Sequence, residues 1–129
     1  MGPVIRFQTQ QFDITKEQEN PINEVFGESI LIWLRDHANR LGDISEIEPE
    51  DHGWYFRAMF DGQQYTFVGS VVHDVPPEEQ EWFLAIERDR KMKEMIFGKG
   101  KTGVDDPCFL YVKSLMDAEP GFTNIEVDV

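Results

Sequence analysis

The spacing of hydrophobic positions changes several times along the chain, and each change marks an element. Val4, Ile5, Phe7, Phe12 and Ile14 stand among Gln and Thr in a β-rich opening stretch, which predicts a first strand within residues 4–14. From residue 20 the spacing becomes three and four: Ile22, Phe26, Ile30, Trp33, Leu34, Ala38 and Leu41 form one apolar stripe. Asn20 as N-cap, Pro21 at the first helical position and Gly42 beyond the last turn bound a predicted helix of about 20 residues, roughly 30 Å long.

The middle of the chain alternates with a period of two. Trp54, Phe56, Ala58 and Phe60 interleave with Tyr55, Arg57 and Met59. Asp61-Gly62 follows, a pair suited to a two-residue type I′ hairpin because both central positions need φ > 0. Residues 64–72 are the return strand, Pro76-Pro77 interrupts, and residues 81–87 predict a third antiparallel strand with Trp82, Leu84 and Ile86 on one face. Residues 44–48 predict a short edge strand before the hairpin. Beyond Arg88, Met92, Met95 and Ile96 make a short helical stripe that stops at Gly98. Asp105-Asp106-Pro107 then caps a second clear helix, with Phe109, Leu110, Val112, Leu115 and Met116 inward. Pro120-Gly121 turns the chain into a last strand, where Ile125, Val127 and Val129 alternate with acids.

The order β-α-β-β-β-α-β predicts a single α+β domain over residues 1–129, with a mainly antiparallel sheet and two main helices packed on one face. Trp33, Phe26, Trp54, Phe56, Phe67, Trp82 and Leu84 are its predicted core. His37, beside the first helical stripe, reads as a structural histidine.

Composition agrees with a folded chain: 129 residues, 40% hydrophobic and ten Phe are enough for a core without disulfides. No apolar run is long enough to span a membrane, and the first residues lack the basic head and apolar stretch of a secretory signal. The lone Cys108 suits a reducing compartment, so a cytoplasmic location is expected. Net charge is −13, which disfavours nucleic acid and anionic lipid and favours a basic partner. The charge is also polarised. Five acids and no base (Asp43, Glu46, Glu48, Glu50, Asp51) precede Trp54, whereas six of the twelve bases fall between Arg88 and Lys101.

Four places carry candidate chemistry. The acidic run meets an aromatic pair at Glu48, Glu50, Asp51, His52, Trp54 and Tyr55, and carboxylates around aromatics suit recognition of a basic peptide or cation; the plainer reading is a solvated loop leading into a strand that buries Trp54. Gly98-Lys99-Gly100-Lys101-Thr102 contains Gly-Lys-Thr, but Met95 stands where a phosphate-binding loop needs glycine, and a helical segment leads in where a strand should. It reads as a basic connector, with Lys99 and Lys101 available to an anion. Cys108, second in the last helix, reads as a packed thiol, because Asp105 and Asp106 oppose a thiolate. Asp51-His52 and His73-Asp74 show no metal-ligand spacing. No catalytic residue, metal or cofactor is assigned.

Three segments together, Glu19-Asn20-Pro21-Ile22-Asn23 leading into Leu31-Ile32-Trp33-Leu34-Arg35, then Pro49-Glu50-Asp51-His52-Gly53-Trp54-Tyr55, then Asp105-Asp106-Pro107-Cys108, resemble a family of small, uncharacterised, acidic bacterial proteins. The resemblance spans most of the chain and implies a complete protein; it implies no activity, cofactor or site residue. The expected function is a non-enzymatic interaction protein whose acidic surface binds a basic protein partner, as immunity-type inhibitors and anti-defence proteins do. The alternative is a ligand-binding or enzymatic domain with a pocket between sheet and helices and residues 98–103 as a lid. A homodimer through an exposed sheet edge or face is compatible with either.

Overall fold

Alternation in the long central strands decides the layers. In the computed structural model, which describes residues 2–129 except Phe97 and Lys99 and gives Lys93 without its side chain, β3 (Gly53–Phe60) and β4 (Gln63–Val72) form the hairpin around Asp61 and Gly62. Both turn residues have positive φ, 49° and 78°, as a type I′ turn requires. β5 (Glu81–Arg88) pairs antiparallel with β4. Successive side chains in a strand point to opposite faces, so Trp54, Phe56, Ala58, Phe60, Tyr65, Phe67, Val71, Trp82, Leu84 and Ile86 share one buried face. β1 (Val4–Gln8) adds Ile5 and Phe7 to it.

The described strands form one six-stranded sheet in the order β2-β3-β4-β5-β1-β6, with every neighbouring pair antiparallel. β2 is Glu48–Glu50 and β6 is Thr123–Asp128; they are the two edges. Helices α1 (Glu28–His37) and α3 (Pro107–Asp117) cover the apolar face through Ile30, Leu31, Trp33, Leu34 and through Cys108, Phe109, Val112, Met116. The predicted α+β class and the helices on one face are therefore present. The short helix α2 (Met92–Ile96) lies outside this layer.

Several boundaries differ from the periodicity, each for a local reason. Residues 20–27 are not helical. Asn20 does act as a cap, its Oδ1 accepting from the Ile22 and Asn23 N–H groups, but its Nδ2 donates to the carbonyls of Glu50 and Gly53 at 3.0 and 2.8 Å. That tie to the β2–β3 turn holds the segment in turns, and Ile22 is left 58% exposed. The helix begins where Glu17, ten residues earlier in sequence, accepts from the N–H groups of Gly27, Glu28 and Ser29 at 2.9–3.1 Å. It ends at His37 because Gly42 is used elsewhere, exchanging two backbone hydrogen bonds with Met59 of β3. The edge strand is correspondingly at 48–50 and not 44–48, and β1 stops at Gln8. In α3, Leu110 is 52% exposed and Cys108 takes the inward position expected of it. Asp106 and Pro107 cap that helix as expected, Asp106 Oδ1 accepting from Phe109 N at 3.0 Å. Phe26 is half-buried at the rim of the core, and Val129 lies beyond β6, fully exposed.

The chain entering α1 crosses β4 at backbone contact. A Cβ on Gly69 would sit 2.4 Å from the Gly27 carbonyl oxygen and 2.7 Å from Ile30 Cγ2, and one on Gly27 would meet the Gly69 carbonyl in turn. Gly53, on β3, also abuts Gly69. Gly69→Ala therefore has no room without parting helix from sheet, and we expect a loss of about 3 kcal/mol, the upper range for overpacking. Urea unfolding should show a lower midpoint at an unchanged slope.

Candidate interaction surface

Among the described residues, α1 and α3 both pack on the apolar face and leave the second face of the sheet open. Cross-strand register builds it in rows. One row runs across all six strands as Glu48, Tyr55, Val68, Ala85, Val4 and Asp128. On one side of it lie Arg57, Thr66 and Glu87; on the other lie Ser70, Phe83, Arg6 and Glu126. Val72 and Glu81 pair at the far end. The middle is apolar, with Val4, Val68, Phe83, Ala85 and Tyr55 half-buried. Carboxylates close every side: Glu48 at one edge, Glu126 and Asp128 at the other, Glu81 and Glu87 at the strand ends. The strands run from three to ten residues, and at about 4.8 Å between strands and about 3.4 Å per residue they give a face of roughly 650 Å², a little under the area one partner contributes to a specific interface.

Two arginines organise these acids. Arg6 reaches Glu81 at 3.2 Å, Glu126 at 2.5 Å and Asp128 at 3.2 Å, joining β1 to both neighbouring strands. Hydrogen bonds to Asp128 and Glu81 push its pKa up, so its charge is permanent. Arg57 lies 3.8 Å from Asp89 and over the Tyr55 ring, 5.8 Å from its centroid. The Tyr55 hydroxyl donates to Glu48 at 3.1 Å, a side-chain tie between β3 and β2. Six carboxylates (Glu48, Glu50, Glu81, Glu87, Glu126, Asp128) against two guanidinium groups leave the face acidic.

The sequence-derived candidates are divided by this arrangement. Glu48 and Tyr55 lie in the open face, with Glu50 at its corner, and Asp51 and His52 occupy the exposed turn beside them. Trp54 is 3% exposed on the opposite, helix-covered face, so the aromatic pair is split by the pleat and only Tyr55 reaches the surface. Lys101 is exposed beside Thr102, whose hydroxyl accepts from Arg88 N at the end of β5, away from the Asp51–His52 turn. Lys99 lies outside the described residues. Sequence reasoning missed Val4, Arg6, Val68, Phe83, Ala85, Glu81, Glu87, Glu126 and Asp128. The available signal was the outward positions of β4 and β5, where Val68, Val72, Phe83 and Ala85 stand in place of polar residues.

Clefts of about 250–380 Å³ dent the surface. The one beside α1 is lined by Asp13, Glu17, Glu28, Trp33, Asp36 and His37; Asp36 lies 3.7 Å from Arg35, and the other three carboxylates already serve the fold. Glu17 caps α1, Glu28 accepts from Gln18, and Asp13 accepts from Thr15, which holds the Asp13 carboxyl below its ordinary range. His37 stacks on Trp33 with its Nδ1 2.8 Å from the Trp33 carbonyl, and His73 packs edge-on against Phe26. Among the described residues no three His, Cys, Asp or Glu side chains are grouped to hold a metal ion. No helix there is long and apolar enough to cross a membrane.

Cys108 is fully buried. Burial first, then the charges of Asp106 and Asp61, pushes its thiol up to about 12. The folded chain therefore keeps the proton that the unfolded chain releases above pH 9, and this group's contribution to stability falls as pH rises from 9 toward 12. At pH 8, labelling by a disulfide reagent should be limited by unfolding, and urea should accelerate it in step with loss of helix signal. Compared with protein-family models, with curated proteins and with solved structures, the chain matches none.

Proposed function

We propose that this chain is a non-enzymatic interaction module whose open sheet face docks a basic protein surface. The observation that carries the reading is the six-strand row from Glu48 to Asp128, apolar in its middle and acidic at both ends. An antiparallel sheet commonly leaves one face in water, and that face is then polar. Here Phe83, Val68 and Val4 take central positions where solvation alone would place Thr or Lys. A partner with an apolar centre and a ring of Lys and Arg satisfies both features together. Charge complementarity of this kind raises the encounter rate and fixes orientation. The same charge, with a net value of −13, works against nucleic acid. A cytoplasmic site of action fits the single unpaired, buried Cys108.

Affinity capture with the native chain, followed by titration of whatever basic protein is recovered, tests the reading when run beside face variants. Phe83→Thr and Glu87→Lys alter outward positions and should leave the unfolding midpoint nearly unchanged. Each should weaken binding about tenfold, which is about 1.4 kcal/mol. A partner that binds both variants as well as the native chain, or that is lost on changing Ile22 and Leu110 on the helical side, would place recognition elsewhere and sink the proposal.

A further inference from the structure

A second uncovered apolar patch lies in the most basic part of the chain. In α2, Met92 is 76%, Met95 56% and Ile96 71% exposed, whereas most of the apolar residues of α1 and α3 enter the core. Arg88 fastens this segment at its base. Its Nη2 holds the Glu94 carboxylate, its Nη1 donates to Gln63 Oε1 at 2.9 Å, its Nε to the Gly100 carbonyl at 3.3 Å, and its backbone N–H to Thr102 at 2.7 Å. The segment's one acid is thereby turned inward, and Arg88 keeps its carboxyl below the usual range. Met92, Met95 and Ile96 are left outward, with Arg90 and Lys91 before them and Lys101 after.

The segment also borders the open face. Met95 shares a cleft of about 330 Å³ with Thr66 and Glu87, which belong to that face, and with Asp89 at its end. The opposite end of the face carries Glu81 and Val72, the latter 44% exposed, six residues or roughly 20 Å along the strands from Glu87. One chain thus displays a basic apolar projection at one end of an acidic apolar face. The two patches are complementary in charge and in polarity.

We infer that a second copy of this chain covers the open face, with the α2 segment of each copy seated on the Val72–Glu81 end of the other. The inference rests on the reading of the open face as a docking surface and names its occupant. A partner confined to the sheet face would leave Met92, Met95 and Ile96 in water. A second copy seats each α2 patch on the Val72–Glu81 end of the other and pairs the two apolar middles. These contacts offset the like-charge approach of the Glu48 edges and of the Glu126–Asp128 edges to their own counterparts. A two-fold axis lying across the strands carries the projection of one copy to the far end of the other and repeats the contact reciprocally. The interface then closes at two chains and does not propagate.

Sedimentation velocity on the full chain at about 100 µM, well above a micromolar dissociation constant, should give twice the 15.0 kDa chain mass. Met95→Glu with Ile96→Glu changes exposed positions only and should weaken the dimer about 30-fold or more. Val72→Glu, on the face side, should do the same. A charge swap is the decisive arm: Lys91→Glu with Lys101→Glu, or Glu81→Lys, should each weaken association, and the three changes in one chain should restore most of it. General destabilisation of the fold cannot produce that rescue. A monomer at this concentration overturns the inference, as does a dimer indifferent to the α2 changes, or one sensitive to α2 but not to Val72 and Glu81. A monomeric chain that binds vesicles containing phosphatidylserine through α2 also overturns it. If the chain is monomeric yet its basic partner is still lost on Phe83→Thr, only the identity of the occupant fails and the docking face stands.

Discussion

The pleat of the sheet sends half the side chains of six strands to a face that two helices cannot reach. α1 and α3 both lie on the side of Trp54, Phe56, Phe67 and Trp82, and together with those aromatics they complete the buried core. Everything on the other side depends on that one-sided coverage. Val4, Phe83 and Ala85 stay half-buried there, and Arg6 meets the carboxylates of Glu81, Glu126 and Asp128. The helix layer is pinned where it is by the Gly27–Gly69 crossing, where two backbones touch without side chains between them. A close approach of this kind fixes the height of α1 above β4 and lets Ile30 and Leu31 fill the core between them.

Polar ties perform the remaining positioning, and most are long-range in sequence. Asn20 binds the 20–27 segment to the β2–β3 turn, Glu17 starts α1, Tyr65 donates to Asp106 at 2.8 Å to seat the start of α3, and Trp33 Nε1 donates to Glu119 beyond its end. Each satisfies a polar group that packing would otherwise leave unpaired, which is worth about 1–3 kcal/mol where burial is deep. The acids are therefore of two kinds. Glu17, Glu28 and Asp106 are consumed by the fold, whereas Glu48, Glu87 and Glu126 stand on the open face. Net charge alone does not distinguish them.

The features legible in the sequence were those set by local periodicity. Alternation from Trp54 to Phe60 located β3, Asp61-Gly62 fixed the hairpin, and Asp106-Pro107 fixed the start of α3. The features that were not legible depend on distant partners. Asn20-Pro21 has the chemistry of a helix start, and only contact with Glu50 and Gly53 diverts it into a turn. Gly42 has the chemistry of a helix stop, and Met59 claims it as a strand neighbour. Of the candidate surface, Glu48 and Tyr55 were visible because an acidic run meets an aromatic pair. Arg6, Phe83 and Glu126 were not, because they lie far apart in sequence and meet only through the insertion of β1 between β5 and β6.

Local and global charge oppose each other in such a molecule. Two bodies of −13 repel at long range, but at physiological ionic strength the screening length is about 8 Å, shorter than the sheet face is wide. Contacts between groups a few ångströms apart are then decided by the nearest charges and not by the total. On the open face those charges are carboxylates around an apolar middle, and beside α2 they are bases around exposed Met and Ile. Salt acts on both terms with opposite sign. Low ionic strength strengthens whole-body repulsion, while high ionic strength weakens the local ion pairs and leaves the apolar contact. Association through these patches is therefore expected to pass through a maximum at intermediate salt, whereas docking of a strongly basic partner, attracted at long range as well as at contact, weakens steadily as salt rises. That difference follows from the sign of the long-range term alone. It separates self-association from foreign docking before any partner has been identified.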